Sequence, residues 1–134
     1  MCHIGFVAGS PYTWKMQRAK WTTLSSMESE YFAQTAAVTT LQAHEPLYKF
    51  LDFKVTLPII SFCDNETAVR VADEDYSTKR LKHVRTRMAF LKEAIKRRLV
   101  MLVHIDTAGN IADIGTKPLG ATVFHRLREF LVWA

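Results

Sequence analysis

The chain has 134 residues and a formal net charge of +5 at pH 7, with 49% hydrophobic and 23% charged residues. This size and composition predict one globular domain and leave too little sequence for two. Apolar runs stay shorter than the roughly 18 residues of a membrane span, and the N-terminus lacks the pattern of a secretion signal. We therefore expect a cytoplasmic or nuclear protein with no membrane partner.

The first part of the chain predicts a β-hairpin that leads into a helix. Residues 3–8 and 12–16 have the composition of strands, and residues 9–11 (G-S-P) have that of a turn. Residues 21–24 are a candidate third strand. The helix is predicted to begin in the stretch S-S-M-E-S-E-Y, and Pro46 is predicted to kink or end it near His44.

Two glutamates stand in the first turns of this helix. Ser25 and Glu28 have the S-x-x-E spacing of a capping box, which gives Glu28 a sufficient structural role. Glu30 has no such role and is followed by small residues that allow close packing on a sheet. We therefore favour Glu30 over Glu28 as the functional acid, and Glu28 remains the alternative.

Residues 55–63 (V-T-L-P-I-I-S-F-C) form a nearly continuous apolar run, which predicts a strand buried on both faces with Pro58 at its entrance. The run ends at Asp64 and Asn65. Ligands of open α/β sheets lie outside the carboxyl ends of strands, so Asp64 is a site candidate. The alternative is a capping Asp at the start of a helix over residues 66–72, followed by a solvated acidic turn at residues 73–75.

A basic segment occupies residues 79–98, with nine Lys or Arg and one acid, Glu93. Most of it is predicted to be an amphipathic helix whose buried stripe is Val84, Met88, Leu91 and Ile95. Such a segment is typical of a surface that contacts nucleic-acid phosphates. The alternative is an ordinary solvated helix face. The candidate nucleic-acid-binding residues are Lys79, Arg80, Lys82, Arg85, Lys92 and Lys96.

The last third of the chain predicts a second apolar strand over residues 99–105 and a loop over residues 106–110. Asn110 is expected to cap a short helix that carries Asp113 and stops at Pro118. A final helix over residues 121–133 would place its core stripe at Phe124, Leu127 and Leu131.

Other catalytic patterns are missing from the sequence. Cys2 and Cys63 stand far apart without C-x-x-C spacing, as expected of reduced thiols in an intracellular protein. There is no Gly-rich phosphate loop and no nucleophile elbow. The histidines show no metal-ligand spacing and are expected to be surface or packing residues: His3, His44, His83, His104 and His125. Carboxylates therefore carry the candidate chemistry.

Five motifs in this order resemble the ribonuclease H domain at the C-terminus of copia-type retrotransposon Pol polyproteins. They are G-S-P-Y-T-W from Gly9, S-S-M-E-S-E-Y from Ser25, the pair Asp64-Asn65, K-R-L-K-H from Lys79 and A-D-I-G-T-K-P-L from Ala112. The resemblance covers nearly the whole chain. It implies an α/β fold of the ribonuclease H type, a mixed sheet flanked by helices.

The resemblance also implies hydrolysis of the RNA strand of an RNA–DNA hybrid at two Mg²⁺ ions, with Mn²⁺ as a possible substitute. In such a site one ion activates water and the other stabilises the leaving oxygen, about 3.5–4 Å apart. Carried over by motif, the catalytic and metal-binding acids are Glu30, Asp64 and Asp113. The implied partners are the hybrid, read by shape and 2′-hydroxyls, and the reverse transcriptase portion of the same polyprotein, within a retroelement particle where the element is active.

The sequence departs from the family in several places. The family's first acid lies on a central strand that precedes the segment where this chain begins, so we expect an N-terminally incomplete domain without that strand. Smaller departures are Met27, Arg85, Gly115 and Pro46. The alternative function is a catalytically inactive remnant that binds nucleic acid through the basic helix. An integrase-like member of the same broad fold is less favoured, because the motifs are those of the ribonuclease H segment.

Overall fold

The computed structural model describes residues 1–18, 26–73 and 85–132. Its strands and helices are, in chain order, β1 (Cys2–Val7), β2 (Ser10–Met16), α1 (Ser26–Phe50), β3 (Ile59–Cys63), α2 (Glu66–Asp73), α3 (Arg85–Lys96), β4 (Val100–His104) and α4 (Ala121–Arg128). Short 3₁₀ helices at Thr107–Gly109 and Ile111–Gly115 lie between β4 and α4. The predicted α/β class is confirmed.

The predicted hairpin is present, with a tighter turn than expected. β1 and β2 pair antiparallel, and Ser10 and Pro11 already belong to β2. Ala8 and Gly9 make the turn with φ of 50° and 80°, left-handed values that glycine adopts at little cost. The candidate third strand at residues 21–24 and the capping residue Ser25 lie outside the described residues.

Of the two outcomes predicted for Pro46, a kink or an end of the helix near His44, the end is not observed, because α1 continues through Pro46 to Phe50. Proline inside a helix removes one backbone hydrogen bond and clashes with the preceding turn, so a helix that continues past it needs other stabilising contacts. Here tertiary contacts stabilise the turns beyond it. The Tyr48 hydroxyl donates a hydrogen bond to that of Tyr12 on β2, and the Tyr12 ring also packs edge-on against His44.

The two apolar strands pair with each other in parallel, from Ile59 beside Val100 to Cys63 beside His104. β3 starts directly after Pro58, four residues later than the apolar run suggested. The prediction of burial on both faces is wrong for β3. Ile60 and Phe62, on the face opposite Cys63, keep 52% and 58% of their surface exposed. Among the described strands only β4 pairs with β3.

The core lies between β3, β4 and helices α1 to α3. As predicted, Met88 and Leu91 are buried on α3 and Ile95 is half-buried, while Val84 lies outside the described residues. The side chains buried in this cluster are Tyr31, Val38, Cys63, Ala68, Met88, Leu91, Ala94 and Val100. The Tyr31 hydroxyl donates to the Ala68 carbonyl oxygen at 3.1 Å and so joins α1 to α2.

Several element ends differ from the predicted ones. Asp73 is the last residue of α2 rather than part of an acidic turn, and Glu74 and Asp75 lie outside the described residues. The 3₁₀ helix that carries Asp113 ends at Gly115, before Pro118. The final helix ends at Arg128 instead of residue 133, so its hydrophobic stripe is short.

On α4 only part of the predicted core stripe is buried. Leu127 is buried and Leu131 is half-buried, but Phe124 is 40% exposed, which corrects its predicted core position. Leu127 is the buried residue of this eight-residue helix. Within the described part of the chain, no helix is long and apolar enough to cross a membrane.

The described strands form two separate two-stranded sheets, β1–β2 and β3–β4, rather than one continuous mixed sheet. α1 contacts both β1 and β3 and connects the two sheets. Between β1 and β3 the described residues make no ladder. This separation leaves an open space above α1, and the candidate acids lie at one end of it.

Candidate functional site

A cleft of about 470 Å³ occupies the space between the two sheets. Its walls come from β1, β3 and the segment of 3₁₀ helices, and its floor is one face of α1. The lining is mostly apolar along the strands, whereas three acids gather where β3 ends: Glu30, Asp64 and Asp113. The cleft therefore combines an apolar groove with an anionic end.

Glu30 reaches this end from the second turn of α1. Four residues later on the same helix face, Gln34 binds β3 by two hydrogen bonds. Its side-chain amide donates to the Phe62 carbonyl oxygen at 3.1 Å, and its amide oxygen accepts from the Ser61 hydroxyl at 2.6 Å. Gln34 thus fixes α1 against β3 and with it the position of Glu30 relative to the end of the strand.

Asp64 follows directly after β3, and the next residue forms the cap of α2. The Asn65 side-chain oxygen accepts from the backbone N–H of Ala68 at 3.0 Å, the bond expected of a helix cap. Capping therefore falls to Asn65, not to Asp64, although the sequence had left a capping Asp open. The Asp64 carboxylate is free to face the cleft.

Glu30, Cys63 and Asp64 offer ligand atoms that all lie within 4.8 Å of one another. Burial raises the pKa of Glu30 above its usual range, and the neighbouring charge of Asp64 raises it further. The Cys63 thiol donates to a Glu30 carboxylate oxygen at 3.6 Å. Burial likewise raises the pKa of Cys63 to about 11, so this thiol stays protonated at neutral pH.

Asp113 is buried and held by its own capping residue. The Asn110 side-chain oxygen accepts from the Ala112 N–H at 3.2 Å, as predicted, and its amide donates to Asp113 Oδ1 at 3.3 Å. The other carboxylate oxygen, Oδ2, accepts from Lys117 Nζ at 2.7 Å. The Asp113 carboxylate thus accepts hydrogen bonds from two nearby side chains, those of Asn110 and Lys117.

Lys117 connects the third acid to the second. Its Nζ lies 2.7 Å from Asp113 Oδ2 and 3.7 Å from Asp64 Oδ2. The hydrogen bond that Lys117 donates to Asp113 raises the pKa of Lys117, and the charges of both aspartates add to the effect. Sequence reasoning did not assign Lys117 a role. The i, i+4 spacing from Asp113 was the available signal, because residues so placed approach one another on a helical turn.

The two glutamates of α1 differ in their position relative to Asp64. Glu30 lies beside Asp64, whereas Glu28 is buried two residues earlier in α1. The capping box proposed for Glu28 depends on Ser25, which is outside the described residues. Both described cysteines are free thiols, in agreement with the prediction, but Cys63 lies in the site rather than apart from it.

The basic segment is described from Arg85 onward. On α3, Arg85 and Lys96 are exposed and Lys92 is half-buried. Arg87 places its guanidinium 3.8 Å from the centre of the Phe32 ring, a cation–π contact that fixes α3 on α1. The remaining candidates for nucleic-acid binding lie outside the described residues: Lys79, Arg80 and Lys82.

Comparison with known proteins identifies transposon relatives. Over 123 residues, or 92% of its length, the chain is 27% identical to the retrovirus-related Pol polyprotein from transposon RE1 and 26% identical to that from transposon RE2, both of Arabidopsis thaliana. It is 23% identical over 124 residues to the corresponding polyprotein from transposon TNT 1-94 of Nicotiana tabacum. The homologues of this chain are thus retrotransposon Pol polyproteins.

The chain corresponds to a small part of these relatives. It spans 8% of the RE1 and RE2 polyproteins and 9% of the TNT 1-94 polyprotein. No protein-family model matches the sequence. No solved structure matches it either.

Proposed function

We propose that this chain is a retrotransposon-derived nuclease segment of the ribonuclease H type, which hydrolyses the RNA strand of an RNA–DNA hybrid. The observation that carries the proposal is the meeting of three acids from distant parts of the sequence at one end of the cleft: Glu30, Asp64 and Asp113. Homology to Pol polyproteins supports the proposal, since such a polyprotein would provide the reverse transcriptase portion as a partner.

The donor set fits a hard divalent cation. Carboxylate oxygens are the ligands that Mg²⁺ and Mn²⁺ prefer in proteins. Burial is the main cause of the raised pKa of Glu30, and the charge of Asp64 raises it further, so a cation among the acids would stabilise the ionised carboxyl. Cys63 stays protonated and donates to Glu30, so the site offers oxygen ligands rather than a thiolate. We therefore propose Glu30, Asp64 and Asp113 as ligands of Mg²⁺ or Mn²⁺.

In this proposal the residues of the chain position the acids and the substrate. Asp64 and Asp113 present oxygens to the cleft, and Gln34 and Asn110 hold the elements that carry them. Bound divalent ions would supply Lewis-acid chemistry, by polarising the scissile phosphate and lowering the pKa of a water molecule. Exposed basic side chains of α3, such as Arg85 and Lys96, would contact the phosphates of the hybrid.

The test is cleavage of an end-labelled RNA–DNA hybrid by the purified chain in Mg²⁺ or Mn²⁺. The expected result is cleavage of the RNA strand that falls to background in Asp64→Asn. The matched control is Asp106→Asn, because Asp106 is an exposed aspartate after β4 and lies outside the cleft lining. Cleavage that survives in Asp64→Asn, or that is lost equally in the control, would contradict the proposed site.

A second candidate function is nucleic-acid binding without catalysis. The observation that favours it is the exposed positive charge of Arg85 and Lys96, continued by Arg97 and Arg98 directly after α3. Binding of the hybrid that weakens as salt rises, with no cleavage in either metal, would support this candidate over the nuclease. The same purified protein and the same labelled hybrid serve both measurements.

A further inference from the structure

The ammonium group of Lys117 lies at the anionic end of the cleft. It is 2.7 Å from Asp113 and 3.7 Å from Asp64, two acids whose side chains are 7% and 14% exposed. Among the described residues, Lys117 is the ion-pair partner of both aspartates. Lys117 also lies near enough to Glu30 for its positive charge to stabilise the ionised form of the Glu30 carboxyl.

Acids held this close need a positive charge among them. Like charges at such distances repel strongly where water is partly excluded, and removing one partner of a buried ion pair leaves uncompensated charge behind. Lys117 supplies one positive charge against up to three negative ones. The negative charge of the three acids is therefore neutralised only in part by Lys117, and a further cation would stabilise the cluster.

The ammonium group of Lys117 can move away from the acidic end of the cleft more easily than the carboxylates can. Its side chain is 47% exposed and its stem is flexible, so the ammonium can swing into water without opening the fold. The acids lack this freedom because they belong to α1, the end of β3 and a capped 3₁₀ helix. Exchange of the cation thus requires movement of one side chain at the edge of the cleft.

We propose that Lys117 is a resident counter-ion of the carboxylate cluster, which holds Asp64 and Asp113 together in the metal-free protein and leaves them when a divalent cation binds. Lys117 would thereby set the affinity of the site for that cation. This inference rests on the proposed function, because it takes Asp64 and Asp113 as cation ligands. Lys117 acts through these acids and is a positioning residue in this account.

The first test compares Mn²⁺ binding by the whole chain and by Lys117→Met, followed by calorimetry or by the electron paramagnetic resonance signal of free Mn²⁺. Methionine keeps an unbranched stem and removes the charge. We expect Lys117→Met to bind Mn²⁺ at least about tenfold more tightly, a change equivalent to about 1.4 kcal/mol. In metal-free buffer it should melt at least about 3 °C lower, and added Mn²⁺ should restore its melting temperature.

Two variants serve as controls. Lys117→Arg keeps a positive charge and should stay close to the unaltered chain in both Mn²⁺ affinity and melting temperature. Lys49→Met removes a lysine from another i, i+4 ion pair, with Glu45 at 2.8 Å, on the exposed end of α1. It should change neither property, since an exposed pair contributes little to stability.

The outcomes separate this inference from the function on which it rests. If the unaltered chain binds Mn²⁺ and Lys117→Met binds it equally or more weakly, the counter-ion role is overturned while the metal site stands. If neither protein binds Mn²⁺, the metal site itself fails and the inference fails with it. Tighter binding together with lower metal-free stability is the supporting result.

A second measurement uses the unaltered chain and does not depend on how a variant folds. Trace labelling of lysine amines, read by mass spectrometry, compares Lys117 with Lys49 in the same sample. We expect Lys117 to react slowly without metal and at least about threefold faster once Mn²⁺ occupies the site, because the amine then leaves Asp113 and Asp64 and is open to the reagent. Equal reactivity with and without bound Mn²⁺ would overturn the proposal.

Discussion

Glu30 shows how one residue can be placed well for chemistry and poorly for stability. Its carboxyl is half-buried, shares its surroundings with Asp64, and has its pKa raised by burial and by that neighbouring charge. The folded protein therefore binds the Glu30 proton more tightly than the unfolded chain does. This contribution favours folding below the ordinary glutamate pKa and is lost as pH rises through the raised pKa.

A glutamine at position 30 should accordingly stabilise the protein at neutral pH. In metal-free buffer at pH 7, we expect Glu30→Gln to raise the melting temperature by about 2 °C, and we expect the difference to disappear at acidic pH. Thermal unfolding measured across the pH range checks this. Glu93→Gln, on the exposed side of α3, should show no such pH-dependent gain. A variant that is less stable at pH 7 than at low pH, relative to the unaltered chain, would contradict the reasoning.

At the scale of elements, the connection between α1 and β3 decides whether the acids meet. Gln34 is buried and exchanges hydrogen bonds with both Ser61 and the Phe62 backbone. Because Gln34 lies one turn after Glu30, loss of these bonds would loosen the helix next to the site. Buried polar groups left without partners cost about 1–3 kcal/mol each.

We therefore expect Gln34→Leu to lower the free energy of unfolding by about 2–3 kcal/mol, measured by urea denaturation. Gln42→Leu makes the same change on the exposed side of the same helix and should stay within about 0.5 kcal/mol of the unaltered chain. Similar losses in both variants would mean that the substitution acts through helix propensity instead of through the bonds to β3.

Element-scale rules also explain which sequence predictions succeeded. Hydrophobic period and turn chemistry predicted the hairpin, α3 and the apolar strands, because these depend on neighbours in sequence. The helix end that Pro46 allowed near His44 is not observed, and the sequence could not show this because the hydrogen bond from Tyr48 to Tyr12 joins residues far apart in the chain. The burial of β3 on both faces was also predicted wrongly, because the exposure of Phe62 depends on which distant residues pack over its face of the strand.

In the site, too, the sequence predicted some features and missed those that depend on distant contacts. Strand ends and motif matches predicted Glu30, Asp64 and Asp113 as candidate acids. The structure places Glu30 beside Asp64, and Lys117 lies between Asp64 and Asp113. The supporting contacts of Gln34 and Lys117 were missed, because a polar residue in a helix or a loop gives no sign of what it will face. Their partners are set by tertiary packing.

For the whole molecule, the uneven charge predicts how it would contact nucleic acid under the proposed function. The net charge is +5, and nine Lys or Arg fall between residues 79 and 98, while the cleft gathers three acids at one end. Phosphate contacts release counterions, so affinity for a hybrid should fall steeply with salt. The acids then need a cation between them and the phosphate, which links binding to the proposed chemistry.

Salt dependence can be assigned to particular side chains. We expect the double variant Arg85→Gln, Lys96→Gln to bind an RNA–DNA hybrid more weakly and to flatten the plot of log affinity against log salt by about 1–2. Fluorescence anisotropy over a salt series measures this slope. Arg70→Gln, which removes an exposed arginine paired with Glu66 on α2, should leave the slope unchanged. An unchanged slope in the double variant would show that α3 does not contact phosphates.

The central claim is that acids far apart in the sequence form one site for a divalent cation. Iron-mediated cleavage of the protein backbone tests it most directly, because Fe²⁺ bound in place of Mg²⁺ generates oxidants in ascorbate that cut the chain near the ion. The account predicts cuts near residues 30, 64 and 113 together, all suppressed by excess Mg²⁺ and lost in Asp64→Asn. Cuts at other positions, or cuts at these three that persist in Asp64→Asn, would contradict it.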